Sequence, residues 1–290
     1  MNNSNKLFII GNGFDLAHGI ESTYEHFKNY LEKECPDDIA DVKKAISSGK
    51  DISENSGVMF GLLFHAINEI EGGGLWSNLE KTLGDINYDG FLSSNGYKNN
   101  DILLDTLKNR AFIFKEYFYS WVNEISIERA NSKEDFKKLI NSDDLFLNFN
   151  YTKTLEDVYN VNEDAVVHIH GVVGDNVEFG HGADYRNSGF EEEEFIHEQF
   201  RKDTDKIVEN HEFFFAELIP GRQIKEIYSF GFSYGDVDQV YLMRLFKGLG
   251  KTEDITWFFN RYDKEREEEF MDILKTCGFN GNYDDYEVIS

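Results

Sequence analysis

The stretch KLFIIGNGFDLAHGIESTYEHF, residues 6–27, decides how the rest of the chain is interpreted. Residues 7–10 form a short apolar run with the length and composition of a strand that is buried on both faces. Gly11-Asn12-Gly13 follows directly, and a helical pattern begins again after Ser22. A buried strand, a glycine turn and a helix form the element with which α/β proteins approach a phosphate, because glycine lets the backbone come close and the helix offers free N–H groups.

The glycine turn also has a simpler interpretation. The full dinucleotide-binding fingerprint requires a third small residue three positions after Gly13, where this chain has Leu16. A tight turn from strand to helix that binds no ligand would use the same glycines. The stretch therefore predicts the local fold and leaves the ligand open.

The composition limits the classes of partner. With 290 residues, of which 40% are apolar, the chain is long enough for one large domain or for a core with a substantial insertion. Its formal charge is 29 − 55 = −26, which argues against a broad footprint on a phosphate backbone, so nucleic acid is not expected as a partner. Cys35 and Cys277 are too few for a disulfide framework or an all-cysteine zinc site.

The chain also lacks the usual signals for export or membrane insertion. No run approaches the ~18 apolar residues that a membrane-spanning helix needs, so no membrane partner is expected. The first residues, MNNSNK, do not resemble the apolar segment of a signal peptide. These observations predict a cytoplasmic protein.

The pattern of the chain changes near residue 142. Residues 36–72 and about 101–129 read as helical, and residues 85–100 read as a loop. The second helical segment has an apolar stripe at alternating spacings of three and four, which runs through Leu104, Leu107, Ala111, Phe114, Phe118, Trp121 and Ile125. From residue 145 onward, short apolar runs alternate with helical patterns, which is typical of a parallel sheet covered on both faces. Residues 177–182 are predicted as a strand and residues 189–217 as helical, and Thr152 is predicted to cap a helix that runs through Leu155 and Val158. The sequence therefore predicts an α/β protein with a Rossmann-like, mostly parallel sheet.

The predicted core comprises residues 1–35 and 142–290, and residues 36–141 are predicted to be a large all-helical insertion after the first strand. The apolar stripe fits the core of this insertion, and it also fits the seam of a homo-oligomer. Both interpretations stay open.

Polar residues end each predicted strand. Ligands of open parallel sheets bind beyond the carboxyl ends of the strands, so these residues are expected to share one rim. The strand ends are Gly11-Asn12-Gly13, residues 148–150, residues 168–171, residues 231–233 and Asn260. Within this set, Asn150 offers an amide that can orient a sugar hydroxyl or a water molecule, and His170 can act as a base near neutral pH. His168 shares a strand face with His170 but lies two positions before it, and it is expected to support Asn150 and His170.

Two other kinds of site fit less well. Residues 231–235 read G-F-S-Y-G and match the nucleophile elbow of serine hydrolases. The base of the triad would have to follow Ser233, yet the last histidine is His211. His168, His170 and His181 form the only imaginable metal trio, and no acidic ligand accompanies them at a known spacing, so no metal is expected.

The chain resembles the bacteriophage abortive infection AbiH family. The resemblance rests on IIGNGFDLAHGI at 9–20, LWSNLEKTLG at 75–84, LNFNYTKTLE at 147–156, HIHG at 168–171, FGHG at 179–182 and YSFGFSYGDVD at 228–238. These motifs occur in order and cover most of the chain. The resemblance implies a role in bacterial defence against phage. The motifs leave open the individual roles of His168, His181 and Glu80.

The strand-end motifs are more distantly similar to the sirtuin NAD-binding fold. The first turn, G-A-G-x-S through G-I-P-D-F-R in sirtuins, resembles residues 11–20, and the N-I-D and catalytic H-G elements resemble residues 150–152 and 170–171. The G-T-S turn resembles residues 231–233, and the asparagine that holds the adenosine ribose resembles Asn260.

The chain departs from the sirtuin pattern in three places. Thr152 stands where sirtuins have Asp, and Glu21 and Tyr24 replace the Pro and Arg of the first loop. The four-cysteine zinc module is absent from the sequence. The resemblance therefore does not imply protein deacetylation.

Together these patterns predict that the chain binds NAD+ and cleaves its nicotinamide–ribose bond, as an NAD+ glycohydrolase. Asn150 and His170 are the predicted catalytic residues. The predicted ligand-binding residues are Gly11, Asn12, Gly13, Asp15, Gly231, Ser233 and Asn260. Two alternatives stay open: a non-catalytic sensor of NAD+ or ADP-ribose in a defence system, and a hydrolase or nuclease acting on another phosphorylated substrate.

Overall fold

The computed structural model describes residues 5–37, 40, 79–85, 101–182 and 191–288, with the side chains of residues 101–110, 192 and 193 left out. Contacts divide the chain into two compact units. The sheet unit comprises Met1–Ser22, Ile125–Val177 and Asp203–Ser290, and the helical unit comprises Thr23–Glu124 and Glu178–Lys202. The predicted insertion at 36–141 lies partly outside the described residues, so its boundaries stay a prediction.

The sheet has six strands that run parallel to their neighbours. They are β1 (Lys6–Ile10), β2 (Leu145–Asn148), β3 (Val166–His168), β4 (Glu226–Phe230), β5 (Thr256–Asn260) and β6 (Asn282–Tyr286). Their order across the sheet is β3-β2-β1-β4-β5-β6. This is the strand order of the dinucleotide-binding α/β proteins, and it confirms the predicted α/β, Rossmann-like sheet.

The described α-helices, in chain order, are α1 (Asn12–Ala17), α2 (Tyr24–Glu34), α3 (Leu79–Asp85), α4 (Asp101–Glu124), α5 (Glu134–Leu139), α6 (Thr154–Tyr159), α7 (Glu191–Phe200), α8 (Thr204–Asn210), α9 (Gln239–Leu249) and α10 (Glu267–Thr276). Between β1 and β2, the regular elements of the described residues are all helical. None of the described helices is long and apolar enough to cross a membrane.

The strand β1 is buried on both faces, as its apolar run predicts. Leu7 and Ile9 join one hydrophobic cluster, and Phe8 and Ile10 join another, because successive side chains of a strand point to opposite faces. Phe8 stacks between Phe146 and Tyr228 of the neighbouring strands, with ring centroids 5.0 and 5.1 Å away. Packing of apolar side chains thus fixes the position of β1 in the sheet.

The described part of the apolar stripe on the long helix is buried, except that Ile125 follows the end of α4 and is half-buried. Ala111, Phe114, Phe118 and Trp121 on α4 are each at most 5% exposed, and Phe118 stacks on Phe179 within the helical unit. The side chains of Leu104 and Leu107 lie outside the described residues.

Three predicted elements differ from the structure. The run at 177–182, predicted as a strand, makes isolated bridges at Val177 and His181. The predicted helix at 189–217 is interrupted after α7, and Asp203 caps the start of α8 by accepting a hydrogen bond from the Lys206 amide. Thr152 was expected to cap α6, but its hydroxyl donates to Asp15 instead, because a buried carboxylate requires hydrogen-bond donors.

Candidate functional site

A cavity of about 730 Å³ lies at the carboxyl edge of the sheet, where β1, β4 and β5 end. This volume is within the ~300–1,000 Å³ that is usual for small-molecule sites. Four of the nine predicted site residues line it: Gly13, Gly231, Ser233 and Asn260. The chain passes from β1 to β2 on one side, whereas β4 lies on the other side of β1, and such a switch point is where ligands of open parallel sheets bind.

The glycines of the two turns beside this cavity pack against each other. The amides of Gly11 and Gly13 donate to the carbonyl oxygens of Phe230 and Gly231, each at 3.0 Å. A Cβ atom on Gly11 would lie 2.5 Å from the Gly231 carbonyl oxygen, and one on Gly13 would lie 2.6 Å from the Gly231 Cα. Close approach of two backbones, without a ligand, is therefore sufficient to require these glycines.

The other residue of the first turn, Asn12, is exposed. Its side-chain oxygen accepts a hydrogen bond from the Ser22 hydroxyl. The predicted ligand contacts of the turn at residues 11–13 stay a prediction.

Two predicted residues of the cavity wall differ in their freedom to bind. Ser233 is exposed, and its hydroxyl makes no hydrogen bond within the described part of the chain. Asn260 is 3% exposed, and its side-chain oxygen accepts a hydrogen bond from the Tyr262 amide at 3.1 Å. Asn260 therefore caps the turn after β5, and Ser233 is the more available of the two.

Charged side chains complete the cavity wall. Lys133, Arg261 and Arg266 supply positive charge, and Asp263 and Glu287 supply negative charge. The Arg261 guanidinium lies 3.3 Å from the Glu287 carboxylate. Burial raises the pKa of Asp263 to about 6, and the positive charge of Arg266 opposes this shift.

Sequence reasoning missed most of this wall. Arg261 and Tyr262 directly follow the strand-end Asn260, and this position could have indicated that they line the cavity. The ring of Tyr262 is 94% exposed and lines the cavity. Lys133 lies 120 positions after Gly13 and just before a short helix, and nothing in the local pattern points to it.

A second group of predicted residues lies beside β1 and β2. Asp15 is 1% exposed and accepts hydrogen bonds from the hydroxyls of Thr152 at 2.7 Å and Thr154 at 2.9 Å. The side-chain amide of Asn150 donates to the Gly11 carbonyl oxygen at 3.1 Å. Burial raises the pKa of Asp15 to about 6, although hydrogen bonds from Thr152, Thr154 and Asn150 lower it in part.

His168 contacts Asn150. In its protonated form the imidazole donates from Nε2 to the Glu156 carboxylate at 2.8 Å and from Nδ1 to the Asn150 carbonyl oxygen at 3.1 Å. The Asn150 amide N–H is held by the Asn148 side chain at 3.0 Å. Asn150 is thus fixed from three directions.

His170 belongs to a different environment. It is 5% exposed, its Nε2 lies 3.4 Å from the Asp238 carboxylate, and its ring packs against Phe149 and Tyr241, each with a centroid distance of 5.5 Å. Among the hydrogen bonds of the described residues, none joins His170 to Asn150, and neither residue lines the cavity. The structure places both at strand ends, and their catalytic roles stay a prediction.

The remaining motif residues, Glu80 and His181, lie in the helical unit. The Glu80 carboxylate pairs with Lys202 at 2.8 Å and accepts from the Gly180 amide at 3.2 Å. Burial lowers the pKa of His181 to about 4, and its Nε2 donates to the His197 carbonyl oxygen. Within the described residues, no group of three or more His, Cys, Asp or Glu side chains could hold a metal ion.

Comparison with known proteins identifies one family. A family model described as bacteriophage abortive infection AbiH matches residues 7–261, which is most of the chain. No curated protein and no solved structure matches the chain. The resemblance to sirtuins therefore stays a prediction.

Proposed function

The chain belongs to the bacteriophage abortive infection AbiH family, and from this premise we propose that it acts by binding NAD+ at the carboxyl edge of its sheet and cleaving the nicotinamide–ribose bond. Membership in the family supports a role in defence against bacteriophage. Loss of NAD+ in an infected cell would then be the means of defence.

The observation that carries this proposal is the cavity at the switch point between β1 and β4. Its size suits a nucleotide, and its wall offers the chemistry that a nucleotide requires. Lys133 and the arginines offer positive charge for phosphate, Ser233 offers a hydroxyl with no partner in the described chain, and Tyr262 offers an exposed ring for a base.

The strand order supports an extended ligand. Along the carboxyl edge, His170 follows β3, Asn150 follows β2, the glycine turn follows β1, and the cavity extends from β1 to β5. In the proposal, the adenosine half occupies the cavity near Ser233 and Asn260. The nicotinamide half extends towards Asn150 and His170, with Asp15 near its ribose.

The chemistry requires little from the protein. A water oxygen bonds to ribose C1′, the bond from C1′ to the pyridine nitrogen breaks, and nicotinamide leaves with the bonding electron pair. Asn150 orients the water or the ribose, and His170 accepts the proton that the water loses. A positioned base contributes about 10²–10⁴ in rate.

The test is mass analysis of NAD+ after incubation with the purified protein, beside the variants Asn150→Ala and His170→Ala. We expect nicotinamide and ADP-ribose from the wild type, release at least about 100-fold slower from His170→Ala, and slower release from Asn150→Ala. Equal release by wild type and both variants would refute the assignment of these residues.

One observation favours a second candidate, a nucleotide sensor without catalysis. The side-chain amide of Asn150 donates to the Gly11 carbonyl oxygen, and His170 lies beside the Asp238 carboxylate. Neither Asn150 nor His170 lines the cavity. A sensor would bind NAD+ or ADP-ribose in the same cavity and release no nicotinamide after long incubation, which separates the two functions.

A further inference from the structure

We propose that the phosphate of the bound nucleotide is held by the side chain of Lys133, and that the glycine turn after β1 serves only to shape the backbone. The inference rests on the proposed nucleotide site, but it does not require that the nucleotide be cleaved. It replaces the phosphate contact that the sequence predicted for Gly11, Asn12 and Gly13.

Most amides of the glycine turn already have partners in the chain. A phosphate held by backbone needs N–H groups that are free of chain partners. Three of the four amides at residues 11–14 donate to chain carbonyls: Gly11 to Phe230, Gly13 to Gly231, and Phe14 to Gly11, at 2.9–3.0 Å. These three amides are therefore not free to donate to a phosphate.

Two of the three cations in the cavity wall are paired with carboxylates. Arg261 pairs with Glu287. Arg266 makes two hydrogen bonds to Glu269, at 2.7 and 3.0 Å, and lies over the Phe270 ring. The ammonium group of Lys133 makes no ion pair or hydrogen bond with the described residues. In a chain of 55 acidic and 29 basic residues, a half-buried lysine without a carboxylate partner is unexpected.

The backbone of Lys133 is held by two hydrogen bonds. Its backbone N–H donates to the Tyr159 hydroxyl at 2.8 Å, and its carbonyl oxygen accepts from the Lys137 amide at 2.9 Å, at the start of α5. The backbone of Lys133 is therefore anchored, and a ligand has to order only its side chain. A lysine ammonium is a compact charge that binds phosphate well.

The experiment measures binding of ADP and of adenosine by isothermal titration calorimetry to the full chain. Lys133→Gln is compared with Lys137→Gln, a matched change at an exposed lysine in the helix that directly follows Lys133, which does not line the cavity. Thermal melting checks that both variants are folded.

We expect Lys133→Gln to weaken ADP binding at least about tenfold, the effect of losing a charged hydrogen bond, and to leave adenosine binding unchanged. Lys137→Gln should bind ADP as the wild type does. Equal ADP affinity of Lys133→Gln and wild type, equal weakening by both variants, or no binding of ADP by the wild type would overturn the inference. Lys133-dependent ADP binding without release of nicotinamide from NAD+ would overturn only the proposed cleavage.

Discussion

The side-chain amide of Asn150 donates a hydrogen bond to the carbonyl oxygen of Gly11, 3.1 Å away, across 139 positions of sequence. This bond joins the end of β2 to the turn after β1. A residue predicted for catalysis therefore also supports the fold, and the two contributions need separate measurements.

Asn150→Ala is expected to lower both stability and activity. Removing the donor leaves the Gly11 carbonyl without this partner in a buried position, at a cost of about 1–3 kcal/mol in the free energy of unfolding. Urea unfolding measures that cost, and nicotinamide release from NAD+ measures activity. If activity falls only in proportion to the unfolded fraction, Asn150 has no part in the chemistry.

The control is Asn131→Ala. Asn131 is exposed, and among the described residues its side-chain amide bonds to the nearby Arg129 carbonyl alone. Its free energy of unfolding and its nicotinamide release should therefore equal those of the wild type.

Asp15 is expected to make stability depend on pH. Its pKa is raised from 3.8 to about 6 by burial, so between these values the folded state binds more protons than the unfolded state. Stability should therefore fall as pH rises from about 4 to 6, by about 3 kcal/mol for a shift of roughly two units.

Urea unfolding at pH 4, 5, 6 and 7 tests this sign in wild type and Asp15→Asn. The free energy of unfolding should fall more steeply with rising pH in the wild type than in the variant, because the Asn side chain does not titrate. Parallel curves would contradict the assignment of the slope to Asp15.

Gly231→Ala is expected to be severely destabilising. Gly231 has φ +63°, and a Cβ there would lie 2.3 Å from the Cα of Gly13. The backbone strain and the overlap together should cost about 3–5 kcal/mol in the free energy of unfolding. Urea unfolding provides the measurement.

Gly174→Ala separates the two causes. Gly174 also has a positive φ, of +85°, but no atom lies within 4 Å of its would-be Cβ. This variant should lose only about 1–2 kcal/mol, the cost of the backbone conformation alone. Equal losses in the two variants would show that the close approach of the turns contributes nothing.

The sheet could be predicted from sequence because its central strand has an unambiguous pattern. Four consecutive apolar residues before a glycine turn are typical of a central strand of a parallel sheet, which is buried on both faces. The predicted strand ends at Asn150, Ser233 and Asn260 also lie near the carboxyl edge. Local residue types were sufficient for these conclusions.

The cavity wall could not be predicted, because it depends on distant pairs. Lys133 and Gly13 line one cavity although 120 positions separate them. Thr152 has the pattern of a helix cap, but its hydroxyl binds Asp15, a carboxylate that only the fold brings near. A local sequence pattern does not reveal a hydrogen-bond partner that is distant in the sequence.

His170 and Asp238 provide the most direct test of the proposed chemistry. The two side chains lie 3.4 Å apart, and the carboxylate can orient the imidazole as a base. His170→Ala should lower the rate of nicotinamide release at least about 100-fold. Asp238→Asn should lower it less, because the ring stays in place between Phe149 and Tyr241. Since His170 does not line the cavity, both variants should bind ADP as the wild type does.

The matched control is Asp236→Asn, which removes the same charge from an exposed residue two positions earlier that contacts Gln239. Its nicotinamide release should equal that of the wild type, so a loss seen in Asp238→Asn alone reflects the partner of His170. Wild-type release by His170→Ala would exclude this imidazole as the base. A loss of ADP binding in His170→Ala would instead mean that the histidine supports the cavity, because a base that acts only on water has no effect on how the phosphate is held.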